Sequence, residues 1–445
     1  MTPGARPTGR AALWLALLGP FFFLSYGLAN LLAGRAVDVP SVVFDWEHGM
    51  PFWPWTIVPY WSIDLFYAAS FFVCRTRREL DTHALRLLGA QLICVACFLL
   101  WPLRYSFVRP DTDGVFGWLF AVLLGFDKPF NQAPSLHIVL LVVLWVRYAQ
   151  HLRGIWRWLL HGWFALIGVS VLTTYQHHFV DIPTGLAVGW LCVWRWPERI
   201  AAPFAQAQLA RDARRWQLAA AYLAGALASA ALAAWSGGAG LWALWPSLSL
   251  GLVAVNYAAL GPLGFQKRSD GQLSLAARWL YAPYLLAAWC NSRLWTRRDP
   301  LPRLVCDDVW LGRIPLPAQR AAFAAVVDLS AELSLHAARA HDQVIAMLDL
   351  VAPPPASLRT AAAAIAAARM RGPVLVCCAL GYSRSAASIA TWLVRSGRAA
   401  DVDGAIAQLR AVRGAIVLGH AHRAAIAAAC SGHDSDQDVP DRRSP

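Results

Sequence analysis

Charge is scarce in this 445-residue chain: Asp, Glu, Lys and Arg together make up 15%, against about a quarter in a soluble globular protein. Lysine is scarcer still, occurring only as Lys128 and Lys267, and methionine occurs four times. These shortages exclude whole classes of function. A nucleic-acid-binding protein concentrates cations on one face. Here the net charge of +13 comes almost wholly from arginines in short stretches between apolar runs, so no nucleic-acid partner is expected. The nine cysteines lack the paired spacing of a metal site, and Cys94, Cys97 and Cys192 sit inside apolar runs. Neither a zinc centre nor a disulfide framework is expected. No cofactor is implied.

What the chain has in abundance is apolar surface, with 58% hydrophobic residues and 23 tryptophans. Up to about Phe265 it is a succession of runs long enough to cross a bilayer, which takes about 20 residues. The expected spans are 11–33, 54–73, 85–103, 136–150, 155–174, 182–196, 217–236 and 240–265. Arg6 and Arg10 precede the first run and no small-residue cleavage site follows it, so it reads as an uncleaved span. Arginines cluster at 75–78, 147–157 and 195–215. With the N-terminus inside, all three clusters fall on the cytoplasmic side, as the positive-inside rule requires. The stretch VFGWLFAVLLGF (115–126) is too short to cross and reads as re-entrant or interfacial. The run 274–295 carries Arg278, Asn291 and Arg293 between basic flanks. It suits an amphipathic helix on the inner surface, which leaves the chain beyond Asp299 in the cytoplasm.

From about residue 304 the pattern becomes that of a soluble α/β domain. VVDLS (326–330) and IAMLDL (345–350) read as short buried strands, followed by an Ala-rich helix over 357–371. A third strand at 374–376 leads into a loop, and helices follow at 385–397 and 401–413. The final segment, 431–445, is polar and aperiodic and is expected to be disordered.

The loop after that third strand is the most explicit chemistry in the chain. Cys378 opens it, Gly381 lies midway, and Arg384 and Ser385 close it onto a helix. Successive N–H groups of such a loop, Gly381 and Ser383 among them, converge on an oxyanion at a helix N-terminus. The same dipoles stabilise a thiolate, which makes Cys378 the candidate nucleophile. Arg384 offers a planar fork to two phosphoryl oxygens, and Ser385 is placed to hydrogen-bond the sulfur. This run resembles the C-x5-R loop of protein tyrosine and dual-specificity phosphatases, and the likeness extends over roughly 304–430. The resemblance implies a cysteinyl-phosphate mechanism in which Asp349, in MLDLVAPPP, is the general acid, with Asp342 the second choice. Asp328 and Glu332 read as a tie at a strand end. One residue departs from the family: Cys377 stands where a histidine usually precedes the nucleophile. That leaves lower activity or redox sensitivity open.

Two polar groups stand out in the apolar half, where polar residues are costly unless they act. They are Pro134-Ser135-Leu136-His137 and His177-His178-Phe179-Val180-Asp181, expected on one outer face. His177 and Asp181 are four apart, so on a helix the carboxylate would orient the imidazole. The pattern resembles the type 2 phosphatidic acid phosphatase superfamily, whose motifs are K-x6-RP, PSGH and SR-x5-H-x3-D. The second motif matches as PSLH, and the third runs from Ser170 through His177 to Asp181. The first matches only as Arg109-Pro110. The resemblance implies His177 as nucleophile, Asp181 as its partner and His137 as the acid. Ser135 and Arg109 would contact phosphate, with Arg104 or Lys128 replacing the missing lysine, since Pro102 holds its place. The third motif's arginine is Val171 here. The same pattern also resembles lipid phosphotransferases such as sphingomyelin and inositol phosphorylceramide synthases, so transfer and hydrolysis both stay open. His178 has no assigned role, and Asp64, inside an apolar span, is expected to be paired within the bundle.

The expected fold is therefore a multi-span α-helical membrane domain over 1–265, with a helical-bundle core like that superfamily's at about 85–200. An interfacial linker over 266–303 would lead to the α/β dual-specificity phosphatase domain over 304–430. The whole resembles bacterial fusions of the two phosphatase families. That resemblance implies an inner-membrane phosphatase with sites on opposite faces, acting on phospholipid headgroup phosphates. A phosphoprotein substrate for the C-terminal domain is the alternative. A lipid-binding or redox-gated regulatory protein is a third reading.

Overall fold

The computed structural model describes residues 6–36 and 38–431. The chain divides into two compact units, one holding residues up to 202 with 236–239, the other 203–235 and all from 240 onward. Of the tail expected to be disordered, only Ser431 is described, as the last residue of a helix; 432–445 lie outside the described residues.

The first unit is a helical bundle: α1 (Thr8–Ala33), α2 (Ile57–Val73), α3 (Arg77–Leu100), α4 (Gly114–Phe126), α5 (Leu136–His151), α6 (Gly154–Thr173) and α7 (Asp181–Arg195). Among the described residues of the whole chain, six segments are long and apolar enough to cross a membrane. In this unit they are α1, α2 with its preceding turn, α3 and α6. The stretch expected to be too short to cross is the 13-residue helix α4. Helix α7 lies tight against α5 because its inner face carries glycines. A Cβ at Gly185 would fall 2.8 Å from Cβ of Ile138 and 2.9 Å from the Ser135 carbonyl. One at Gly189 would fall 2.7 Å from Cβ of Val142. Without a hydrophobic effect between helices in lipid, such small residues let the backbones approach. The start of α7 thereby meets the start of α5, where the Ser135 N–H donates to the Asp181 carbonyl at 3.2 Å. Arg147, read from sequence as one of a cluster of loop arginines, is instead buried in α5. It pairs with Glu79 and with Glu198 (3.1 Å), and His151 joins Glu79 at 2.5 Å.

The second unit begins with α8 (Ala213–Ser236) and α9 (Leu244–Val255), the latter running on through a π-turn at Asn256–Leu260. Ala213–Ser236 and Gly238–Phe265 are the other two segments able to cross a membrane. The sequence groups both with the membrane domain, yet they belong to the compact unit that carries the α/β domain. Next come α10 (Leu275–Leu280) and α11 (Ala282–Trp295). The expected single surface helix over 274–295 is thus two helices, with Pro283 at the first turn of α11. Two of its polar residues reach into the α/β domain: the Ser292 hydroxyl donates to the Ala379 carbonyl at 2.5 Å, and Arg293 donates to the Ile314 carbonyl at 3.1 Å.

A five-stranded sheet follows, in the order β1-β2-β5-β3-β4. Its strands are β1 (Arg303–Cys306), β2 (Val309–Arg313), β3 (Ala325–Ser330), β4 (Gln343–Met347) and β5 (Val374–Cys378). Strand β1 is antiparallel to β2; the other pairs are parallel. The helices are α12 (Pro317–Arg320), α13 (Pro355–Arg369), α14 (Arg384–Arg395), α15 (Val402–Val412) and α16 (His420–Ser431). The first two strands and α16 have no counterpart in the sequence reading. Residues alternate between sheet faces. Along β5, Val374, Val376 and Cys378 enter the core beneath α13 and α14, while Leu375 and Cys377 enter a second core with Ile314, Phe323 and Val326. The two adjacent thiols therefore lie on opposite faces.

Lys267 is buried in this unit. All three ammonium donors are used, by the buried Asp328 carboxylate (2.5 Å) and by the carbonyls of Ser330 and Leu333 (both 2.6 Å). Removing one partner of a buried pair costs about 3–5 kcal/mol, while replacing both with apolar groups costs far less. Lys267→Met should therefore lower the thermal midpoint of the detergent-solubilised protein by several degrees, and Lys267→Met with Asp328→Leu should recover most of that loss.

Candidate functional site

The sequence residues of the C-terminal loop come together around one sulfur. Strand β5 ends at Cys378, and the chain turns through Gly381 at φ +82°, a left-handed conformation that favours glycine. A Cβ there would also meet the Gly312 backbone at 2.6 Å, so the loop can lie flat on β2 only with glycine at this place. The Gly381 N–H donates to Cys378 Sγ at 3.2 Å, and the Ser385 hydroxyl lies 3.3 Å from the same sulfur. Ser383 Oγ is 2.9 Å from Nε2 of His422 on α16. Helix α14 then starts at Arg384, aiming its N-terminus back at the loop.

Arg384 is completely buried. Its guanidinium makes a two-pronged contact with Glu332 at 2.8 and 2.7 Å and donates to the Met347 carbonyl at 2.9 Å. Asp349 completes the group, 3.1 Å from the same guanidinium. The two carboxylates diverge. Burial alone would raise Glu332, but the Arg384 charge and hydrogen bonds hold it below the usual glutamate range. Asp349 goes the other way. Burial, with Glu332 close by, raises its carboxyl above the usual aspartate range despite Arg384. A raised carboxyl is what a proton donor needs. Asp342 is committed elsewhere, bound to Arg320 at 2.6 Å and to the Val326 N–H at 2.8 Å. Burial and the nearby Asp328 carboxylate push the Cys377 thiol well up, so it stays a protonated core residue.

The membrane motifs also converge. Ser135 Oγ lies 3.1 Å from His177 Nε2, and His177 Nδ1 lies 3.0 Å from Asp181 Oδ2. This is a serine–histidine–aspartate chain across the α5–α7 contact. The His177 backbone N–H donates to the Val171 carbonyl at 3.0 Å. His137 stacks on Tyr60 with ring centres 4.1 Å apart, and among the described residues its buried Nε2 has no hydrogen-bond partner. One pocket is lined by His137 and His177 together with Tyr26, Tyr60, Asp64 and Asp127. Asp64 lines this pocket, whose walls are otherwise largely apolar, and among the described residues no ion pair to it is found. Arg109 donates to the carbonyls of Thr174 (3.1 Å) and Tyr175 (3.3 Å), just before His177. Arg104 and Lys128 are exposed. His178 is held between Glu47 (3.1 Å) and Ser106 (3.1 Å) and stacks on Tyr105.

No protein-family model matches this chain, and no curated protein does. Solved structures align with less than a third of it. PTPMT1 aligns over 29% of this chain and 93% of its own length at 16% identity, with a TM-score of 0.25. Human DUSP28 covers 29% of this chain and 91% of its own at 24% identity, TM-score 0.25. Tk-PTP in its active form covers 29% and 95% at 20% identity, TM-score 0.24.

Glu332, His422 and Asp127 escape a sequence reading. The only signal for Glu332 was its place just after a strand beside Asp328, and nothing in the sequence pairs it with Arg384. Glu332→Gln leaves a buried guanidinium short of one charge partner, at a cost of about 3–5 kcal/mol. Its thermal midpoint should fall by several degrees, whereas Asp349→Asn, at the partly exposed end of the group, should shift it far less.

Proposed function

We propose that this chain is a membrane phosphatase whose C-terminal domain cleaves phosphate monoesters through a cysteinyl-phosphate. The observation that carries this reading is the convergence on one sulfur of the Gly381 N–H and the Ser385 hydroxyl, with buried Arg384 paired to Asp349 behind the same loop. The Cys378 thiolate attacks phosphorus, and the ester P–O bond breaks as Asp349 gives its proton to the departing alkoxide. Loop N–H groups and Arg384 hold the equatorial oxygens. Water then attacks the cysteinyl-phosphate, Asp349 takes a proton from it, and the S–P bond breaks to release phosphate. Ser385 steadies the departing thiolate by hydrogen bonding. Arginines flanking the apolar runs support an inner-membrane chain with this domain in the cytoplasm. That location favours phospholipid headgroup phosphates, with phosphoproteins the alternative.

The membrane unit carries a second reading, as a site of the phosphatidic acid phosphatase kind with His177 as nucleophile, Asp181 orienting it and His137 as acid. Its lining favours transfer of a headgroup over hydrolysis of phosphatidic acid. Asp64 and Asp127 face the same pocket as His177. Carboxylates there repel a bare phosphate monoester but suit a headgroup bearing an ammonium group, with Tyr26 and Tyr60 supplying aromatic faces.

Phosphate release from lipid vesicles and from p-nitrophenyl phosphate tests the first reading. Cys378→Ser should abolish release from both, and an unchanged rate would remove Cys378 from the mechanism. Asp349→Asn should lower kcat about 100-fold, within the usual range for a lost general acid. The pH profile carries a sign. Because Asp349 acts protonated and its carboxyl is raised, wild-type kcat should hold beyond the ordinary carboxylate range and fall as pH rises through the Asp349 titration. That falling limb should be missing in Asp349→Asn. His177→Ala should leave p-nitrophenyl phosphate turnover unchanged while abolishing any headgroup transfer.

A further inference from the structure

The segment ahead of the α/β domain grips the catalytic machinery at three points. Ser292 on α11 donates to the carbonyl of Ala379, the residue after the nucleophile, at 2.5 Å. The Tyr257 hydroxyl, in the π-turn after α9, donates to the Asp349 carbonyl at 3.0 Å. Lys267 holds the carbonyls of Ser330 and Leu333, on either side of Glu332, the residue that fixes Arg384. The nucleophile loop, the acid loop and the carboxylate arm are each anchored from outside the α/β domain.

Two further phenols gather around Tyr257. Tyr222 of α8 stacks on the Tyr257 ring, with centres 5.4 Å apart and planes 25° from parallel. Tyr284 of α11 meets Tyr222 edge-on, with ring centres 5.8 Å apart. Tyr257 is fully buried, whereas Tyr222 and Tyr284 keep part of their surface exposed.

We propose that Tyr222, Tyr257 and Tyr284 form a subsite beside Asp349 for the alcohol part of the substrate, and that this alcohol is anchored in the bilayer. The inference rests on the cysteinyl-phosphate reading and deepens it. A phosphate seated in the Cys378 loop must turn its leaving oxygen toward Asp349, so the group beyond that oxygen extends to what stands beyond Asp349. What stands there is this group of phenols. Tyr222 and Tyr257 are carried by the two segments of this unit that are long and apolar enough to span a membrane. Tyrosine, with an apolar ring and a polar tip, suits the bilayer–water interface. Tyr222 and Tyr284 offer hydroxyls to a headgroup, and Tyr257 positions the acid loop. A phosphorylated side chain of a soluble protein would have to bring its backbone against two lipid-directed apolar segments.

The test uses the full-length chain reconstituted in phosphatidylcholine vesicles containing phosphatidylinositol monophosphate or phosphatidylglycerol phosphate, with p-nitrophenyl phosphate as the soluble comparison. The double variant Tyr222→Phe/Tyr284→Phe keeps the rings and removes two hydroxyls. Two lost hydrogen bonds should lower kcat/KM on a vesicle lipid about tenfold. p-Nitrophenyl phosphate, whose nitrophenol reaches the same rings but has no headgroup hydroxyl to bond, should lose no more than about threefold, so that the larger loss is specific to the lipid. Equal losses on both substrates would make the phenols merely structural and overturn the subsite, as would no loss on lipid. Faster wild-type turnover of a soluble phosphotyrosyl peptide than of either lipid would overturn the bilayer-anchored alcohol. Phosphate release that survives Cys378→Ser would instead overturn the nucleophile assignment, so the two failures are told apart.

Discussion

A fully buried guanidinium sets the terms for the C-terminal half. Arg384 cannot stand alone in a low-dielectric interior, because an unpaired buried charge costs several kcal/mol. The chain meets that demand with Glu332 in a bidentate contact, the Met347 carbonyl and Asp349. Each partner comes from a different place: the turn after β3, the end of β4 and the loop after it. The sheet order β5-β3-β4 is what gathers them at the C-terminal ends of parallel strands. The same charge separates its two carboxylates, keeping Glu332 ionised while Asp349, further out, rises toward the protonated form. Two carboxylates shifted in opposite directions thus share one cation.

A parallel constraint shapes the membrane unit. Lipid supplies no hydrogen bonds, so polar side chains within the bundle must meet one another. Glycines at 185 and 189 let α7 press on α5, and that approach creates the Ser135–His177–Asp181 chain. The buried Glu79–Arg147–Glu198 group, between α3, α5 and the residues after α7, obeys the same rule. Packing of small residues and pairing of polar ones are two sides of one requirement.

Much of the candidate chemistry was legible because it is local. Cys378, Gly381, Arg384 and Ser385 lie within eight residues of one another, and His177 meets Asp181 at 3.0 Å, although His177 lies ahead of α7 and not on the helix that the i,i+4 spacing assumes. Long-range partners were not legible. Glu332 reads as an ordinary strand-end acid, although it lies 52 residues from the arginine it holds. The run 274–295 shows the same limit: Ser292 and Arg293 each donate to a distant carbonyl, those of Ala379 and Ile314.

By itself, the sequence determined that this protein carries membrane-length apolar helices and a C-x5-R loop between a strand and a helix. Both follow from short-range composition and spacing, which set local backbone preference and burial. Tertiary structure alone decided where the units divide, placing α8 and α9 with the α/β domain. It alone put Cys377 on the opposite face of β5 from Cys378 and set Tyr257 against Asp349. Those outcomes depend on which distant groups can satisfy a buried charge or a carbonyl, and no local pattern encodes that.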